Sequence, residues 1–242
     1  MPWIIGQNRN EVGLKIELIN VALDVGFGRV ILSKATLAIE SGQFVALLGE
    51  NGAGKTTLLD LVLGFRKPTS GAIRVGGGSH PHLDYLSEKV DIPGDWSVGD
   101  FFRFHRYFYP SYSSEAEADL CARFRVKQEG RLGNMSAGEV RRAQIVAALA
   151  AKPELVLIDE ITAVLDIVGR RKLLDYLREE NQGRGSTDVL ATNILEDLDR
   201  MATHLLLLRQ GRVVEFRSIA DYRAANGNQA FAECVAADLE RA

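Results

Sequence analysis

Between Phe44 and Phe65 the chain reads FVALLGENGAGKTTLLDLVLGF. Five apolar residues closed by a glycine suit a strand covered on both faces of a parallel sheet. The apolar residues that follow, Leu58, Leu59, Leu61, Val62 and Phe65, recur at helical spacing. Strand, glycine loop and helix in that order commit the chain to an α/β fold with a mostly parallel sheet. The loop itself, Gly49, Glu50, Asn51, Gly52, Ala53, Gly54, Lys55, Thr56 and Thr57, satisfies G-x-x-x-x-G-K-[ST] in the context which that pattern requires. Its glycines permit backbone conformations closed to other residues, so successive N–H groups can turn inward around a β-phosphate. Lys55 then reaches the β- and γ-oxygens and Thr56 supplies a hydroxyl to Mg²⁺. The positive end of the helix faces the anion.

A second apolar strand signal, LVLIDE from Leu155 to Glu160, delivers an acid to a strand's carboxyl end, where ligands of open α/β sheets bind. Asp159 is the expected Mg²⁺ ligand. Glu160, pointing elsewhere, is placed to polarise an attacking water.

The remaining sequence is consistent with this core. LKIELINVALDV and ATLAIES alternate as strands separated by GFGRVIL, and SGAIRVGGG is a strand ending in a turn. The region from Trp96 to Ala151 is helical in pattern. DVLATN and HLLLLRQGRVVEF add strands around the helix VGRRKLLDYLREENQG, and AFAECVAADLERA reads as a short terminal helix. The plan is a single domain: a nucleotide-binding core over 14–95 and 152–216, a helical insert over 96–151 and a tail over 217–242. With 46% hydrophobic residues and a net charge of −3, the composition fits a buried core and offers no field for nucleic acid. Cys121 and Cys234, far apart and without histidine partners, read as small core residues rather than a disulfide or zinc site. The N-terminus shows no secretory signal, and no apolar run reaches the roughly 20 residues that cross a bilayer.

From Met135 to Glu160 the sequence reads MSAGEVRRAQIVAALAAKPELVLIDE, and here it resembles the nucleotide-binding subunits of ABC transporters. The resemblance covers Leu14 to Phe216. It implies a P-loop NTPase core with an N-terminal antiparallel β part and an inserted helical subdomain, ATP and Mg²⁺ as cofactors, and two such domains sandwiching two ATP molecules. The family's signature L-S-G-G-Q stands here as Met135-Ser136-Ala137-Gly138-Glu139, so Ser136 and Gly138 would face the γ-phosphate bound by the other subunit. A serine N-cap ahead of an alanine-rich helix suits that use. By the same resemblance Phe27 matches the aromatic that stacks on adenine, against local packing as the alternative. Asp166, ending TAVLD, matches a segment that crosses the dimer interface. Glu88 stands at the position of a metal-coupling glutamine, and Asn193 replaces the switch histidine after the strand DVLAT.

Four departures, Glu88, Ala137, Glu139 and Asn193, thus fall around the γ-phosphate, while Lys55, Thr56, Asp159 and Glu160 are intact. Asparagine can donate and accept as a neutral imidazole does, yet it cannot carry charge or shuttle a proton. The expected protein is an ATPase subunit, peripheral on the inner face of the cell membrane. It would pair with a second ABC subunit, as homodimer or heterodimer, and act on a multi-pass membrane permease. The rival is a soluble member using ATP as a slow dimerisation switch. His204 reads as structural. In FFRFHRYFYPSY, Phe101, Phe104 and Phe108 share a helical face expected in the core. Phe102, Tyr107 and Tyr109 are left as either further core or a partner surface.

Overall fold

The computed structural model describes residues 15–26, 29–76, 82–87, 92–160, 165–194, 201–227 and 229–241. A three-stranded antiparallel sheet has the order β2 (Val30–Ile39), β1 (Ile16–Asp24), β4 (Ser70–Val75). A six-stranded sheet runs β5 (Leu83–Leu86), β6 (Leu155–Asp159), β7 (Thr187–Ala191), β3 (Phe44–Leu48), β8 (His204–Arg209), β9 (Arg212–Ser218). Its strands are parallel except β9, which returns antiparallel to β8. The helices are α1 (Lys55–Leu63), α2 (Val98–Phe108), α3 (Ser114–Phe124), α4 (Ala137–Ala150), α5 (Ile167–Arg184), α6 (Ile219–Asn226) and α7 (Phe231–Arg241).

Why β3, β6 and β7 read as unbroken apolar runs is visible in the layers. Alternate residues face opposite cores: Val45 and Leu47 join α1 and the antiparallel sheet, whereas Phe44, Ala46 and Leu48 join the helices of the insert and the C-terminal helices. Both faces of the sheet are therefore covered at β3, β6 and β7. α1 itself touches β2, β4 and β6, which seats it between the two sheets. Phe65, counted with the helix in the sequence, falls outside it: α1 ends at Leu63, with Gly64 in the left-handed conformation at φ 73°, and Phe65 is exposed.

Several expectations are corrected here. Val30, Ile31 and Leu32, taken as a connection, belong to β2. LDYL is a strand, β5, at the sheet's edge, and the tail holds two helices rather than one. The aromatic segment is also reversed. Ser97 and Asp100 form a reciprocal capping box that sets the start of α2, and the face it turns inward is Val98, Phe101 and Phe102. Phe102 is 1% exposed, while Phe104 and Phe108 are 46% and 59% exposed. Two apolar stripes compete on this helix, and packing against α4 selects the one that includes Phe102. Phe102→Ala is accordingly expected to cost about 3–5 kcal/mol in a urea unfolding titration. Tyr107→Ala, at an 85% exposed position, should cost no more than about 0.5 kcal/mol. Equal losses would contradict the assignment of faces.

Cys234 is buried and Cys121 half-buried, both as free thiols. His204 holds a structural place: its ring lies 3.1 Å from the Gln43 amide and stacks beside Phe216. No helix among the described residues is long and apolar enough to cross a membrane.

Candidate nucleotide site

Register brings three strand ends together. Leu47 of β3 and Asp159 of β6 both pair with Ala191 of β7, so the loop after β3, the acid after β6 and Asn193 after β7 emerge side by side. This is the carboxyl edge of a parallel sheet, and the strand order places β3 between β7 and β8, where the chain's direction of winding reverses.

The loop is shaped by two demands on backbone space. A Cβ at Gly49 would stand 2.1 Å from the carbonyl oxygen of Leu208, and Gly54, at φ 105°, precedes the first residue of α1. The β8–β9 turn braces the loop from behind: the Gly211 N–H donates to the Ala53 carbonyl at 2.9 Å, and Ser33 N–H donates to the Gly211 carbonyl at 2.7 Å. Beside the loop lies a cavity of about 340 Å³ lined by Arg29, Asn51, Lys55, Thr56 and Glu160 among others.

Lys55 is 5% exposed and its Nζ is the hub of the site. It donates to the carbonyls of Gly49 (2.8 Å) and Glu50 (3.3 Å) and to Asn193 Oδ1 (3.1 Å), and it lies 3.3 Å from Glu160 Oε1. Asn193 Nδ2 in turn donates to Asn51 Oδ1 at 2.9 Å and sits 3.5 Å from Glu160 Oε1. Glu160 therefore points into the lysine cluster rather than elsewhere. Its backbone is in the left-handed region at φ 51°, fixed by a hydrogen bond from its N–H to Ala191 O at 3.0 Å. A non-glycine residue held this way stores strain of a kind found at working sites.

Asp159 is buried and its carboxyl is raised above the usual range, first by burial and also by the neighbouring Glu160. Hydrogen bonds from the hydroxyls of Thr56 and Tyr85 oppose that shift, the Tyr85 contact spanning 3.4 Å. Among the described residues Asp159 Oδ1 has no hydrogen-bond partner. An orphaned carboxylate oxygen beside a threonine hydroxyl, next to a phosphate loop, is a donor set that fits a hard cation such as Mg²⁺.

Ser136, Gly138 and Asp166 form a separate group. Ser136 caps α4 in a reciprocal box with Glu139: its N–H and hydroxyl donate to Glu139 Oε2 at 2.9 and 2.7 Å. These bonds hold the Glu139 carboxyl below its usual range. Gly138 faces open space. Asp166 caps α5, accepting from Gly169 N–H at 2.6 Å, and Arg142 of α4 lies 3.8 Å from its other oxygen. Phe27, Glu88 and residues 161–164 of TAVLD lie outside the described residues. Sequence reasoning missed Tyr85 and Arg29. Tyr85 was hidden by an unrecognised four-residue edge strand, and Arg29 by its place in a glycine turn.

Comparison with known proteins agrees with the fold. The family model described as ABC transporter matches residues 32–163. An energy-coupling factor transporter ATP-binding protein, EcfA2, from Bacillus licheniformis is 32% identical over 208 residues, covering 77% of this chain and 72% of that relative. Among solved structures, an ATP-binding subunit of an ABC transporter superposes with a TM-score of 0.83 at 23% identity, covering 93% of this chain and 99% of the other. A dimeric post-hydrolysis state of the ATP-binding cassette MJ0796 bound to ADP and Pi gives 0.74 at 20% identity, covering 84% and 98%. At those identities the two structures establish the fold. The matched family model and the EcfA2 relative together establish membership: the chain belongs to the ABC transporter family, as an ATP-binding subunit.

Proposed function

We propose that the chain binds ATP with Mg²⁺ on the loop 49–57, closes face to face on a second ABC subunit, and hydrolyses the nucleotide to move a multi-pass membrane permease docked on the inner face of the membrane. The observation that carries this reading is the convergence of Lys55, Glu160 and Asn193 on one cavity beside the loop. Lys55 now spends two contacts on Glu160 and Asn193. Phosphate oxygens are stronger acceptors for an ammonium, so nucleotide would draw Lys55 off both side chains and free the Glu160 carboxylate. Thr56 and Asp159 would hold Mg²⁺, which when bound screens phosphate charge. Glu160 then takes a proton from the water that attacks the γ-phosphorus as ADP leaves, and Asn193 donates its amide N–H to the γ-phosphate.

For pairing, the support is the exposed face that carries Ser136, Gly138 and Asp166. Beside Asp166, Ile167 and Val168 are 79% and 63% exposed at the start of α5, apolar surface suited to a second subunit. Phe27 is assigned to the adenine and Glu88 to the metal's surroundings. The slow-switch alternative gains from one contact: Glu139 places a carboxylate on the α4 N-terminus that would otherwise meet phosphate.

Co-purification from detergent extract, read by mass spectrometry, is expected to return a multi-pass membrane protein. Recovery of an active ATPase dimer with no such protein would favour the switch. Asn193→His probes turnover directly. A chargeable donor beside developing phosphate charge should raise the single-turnover rate, by up to about 10²-fold, with ATP affinity changed by less than about twofold. A slower reaction would mean that asparagine, bridging Lys55 and Glu160, is already the better residue.

A further inference from the structure

β5 carries no phosphate-binding motif, yet one of its side chains touches the acid of the nucleotide site. The parallel register with β6 pairs Tyr85 with Leu157, and both join the core on the α1 side of the sheet. Asp159 stands two residues beyond Leu157 on the same strand, so its side chain leaves the sheet on that same face. The Tyr85 hydroxyl reaches it there, 3.4 Å from Asp159 Oδ2.

The packing around Tyr85 fixes where that hydroxyl can be. Its ring is half-buried against the α1-side core and meets Phe65 edge-on, with centroids 6.1 Å apart and planes at 67°. A ring wedged in this way has little room to swing. A phenol is un-ionised at neutral pH, so toward a carboxylate it is the donor. The other acid whose charge it feels is Asp60 of α1, and Asp60 Oδ2 is already taken by Arg66 Nε at 3.0 Å. Asp159 is therefore the acceptor left to Tyr85 among the described residues.

Asp159, by contrast, has a torsion to be fixed. An aspartate carboxyl turns about its last bond in a broad, roughly two-fold well, so burial alone does not set its plane. The Thr56 hydroxyl holds it from the loop side and Tyr85 holds it from β5. At 3.4 Å the phenol contact is longer than the usual 2.7–2.8 Å or so of an O–H···O bond. It gives the carboxyl direction more than strength.

We propose that Tyr85 is a positioning residue for the metal: its hydroxyl sets the plane of the Asp159 carboxyl, so that the acid is already oriented to receive a divalent cation beside the phosphate loop. Tyr85 acts through Asp159, not on the nucleotide. Partners that orient a metal ligand from outside the coordination sphere commonly matter at this level. The inference rests on the reading that nucleotide binds at 49–57 with a metal held by Thr56 and Asp159, and it adds the residue that prepares that acid.

Tyr85→Phe removes the hydroxyl and keeps the ring against Phe65, so the melting temperature should stay within about 2 °C of the parent. Two affinities are then compared in parent and variant. Calorimetric titration of ADP in EDTA reads the loop without metal, and it should change by less than about twofold. Mn²⁺ titration of ADP-loaded protein, with protein in excess over ADP and free Mn²⁺ followed by electron paramagnetic resonance, reads the metal site. There the dissociation constant should rise about tenfold. A Mn²⁺ affinity within about twofold of the parent would overturn the proposal, since Asp159 would then need no help from Tyr85. Equal weakening of ADP in EDTA and of Mn²⁺, or a large fall in melting temperature, would also overturn it by making Tyr85 a packing residue. Failure of the parent to bind ADP in EDTA would sink the nucleotide reading itself, and this inference with it, whereas a change confined to the variant bears on Tyr85 alone.

Discussion

Lys55→Ala is expected to weaken ATP binding by at least about 10²-fold, equivalent to about 2.7 kcal/mol, and to leave no measurable turnover. The lysine is the one cation with its charged atom within 3.3 Å of the Gly49 and Glu50 carbonyls, Asn193 and Glu160 among the described residues. Its removal does two kinds of harm. The phosphates lose a charged donor, and Glu160 is left as an uncompensated negative charge facing them. Calorimetric titration with ATP and Mg²⁺ measures the loss, and circular dichroism confirms that the fold persists. Affinity within about threefold of the parent would show that the loop is not the phosphate site.

Glu160→Gln is expected to cut the hydrolysis rate by about 10²–10⁴-fold with ATP binding retained or tightened. Glutamine keeps the shape, the left-handed backbone's demands and an oxygen for Lys55, but it cannot accept a proton from water. Charge is also removed from beside the phosphates. Single-turnover hydrolysis and equilibrium binding together separate the two effects. Undiminished hydrolysis would move the catalytic base to another residue.

How far sequence alone reached depends on whether a feature is local. The phosphate loop was legible because its spacing, glycines and flanking elements are set within one stretch, Phe44 to Leu63. Asp159 and Glu160 were legible for the same reason. What could not be read was the side-chain geometry that the sheet's register creates. That Asn193 bridges Lys55 and Glu160 depends on β7 lying beside both β3 and β6. That Glu160 turns toward the lysine depends on a left-handed backbone angle that no spacing rule announces. On α2, helical periodicity allowed Phe101 with Phe104 and Phe108, or Phe101 with Val98 and Phe102, and only the position of α4 decides between them. β5 was missed because four residues carry too little pattern, and with it went Tyr85, which reaches the acid. The functional consequence of Glu139 was likewise hidden. In the sequence it stood only as a departure from the signature, whereas in the fold it completes a capping box with Ser136.

The central claim is that ATP bound at Lys55 draws two subunits together across the face bearing Ser136, Gly138 and Asp166. Light scattering on purified Glu160→Gln, with and without ATP and Mg²⁺, tests it most directly. The mass should rise from about that of the 26.6 kDa chain to twice that value when ATP is present, and fall back when nucleotide is removed. A particle that stays monomeric at saturating ATP, with binding intact and hydrolysis lost, would contradict the sandwich for this chain.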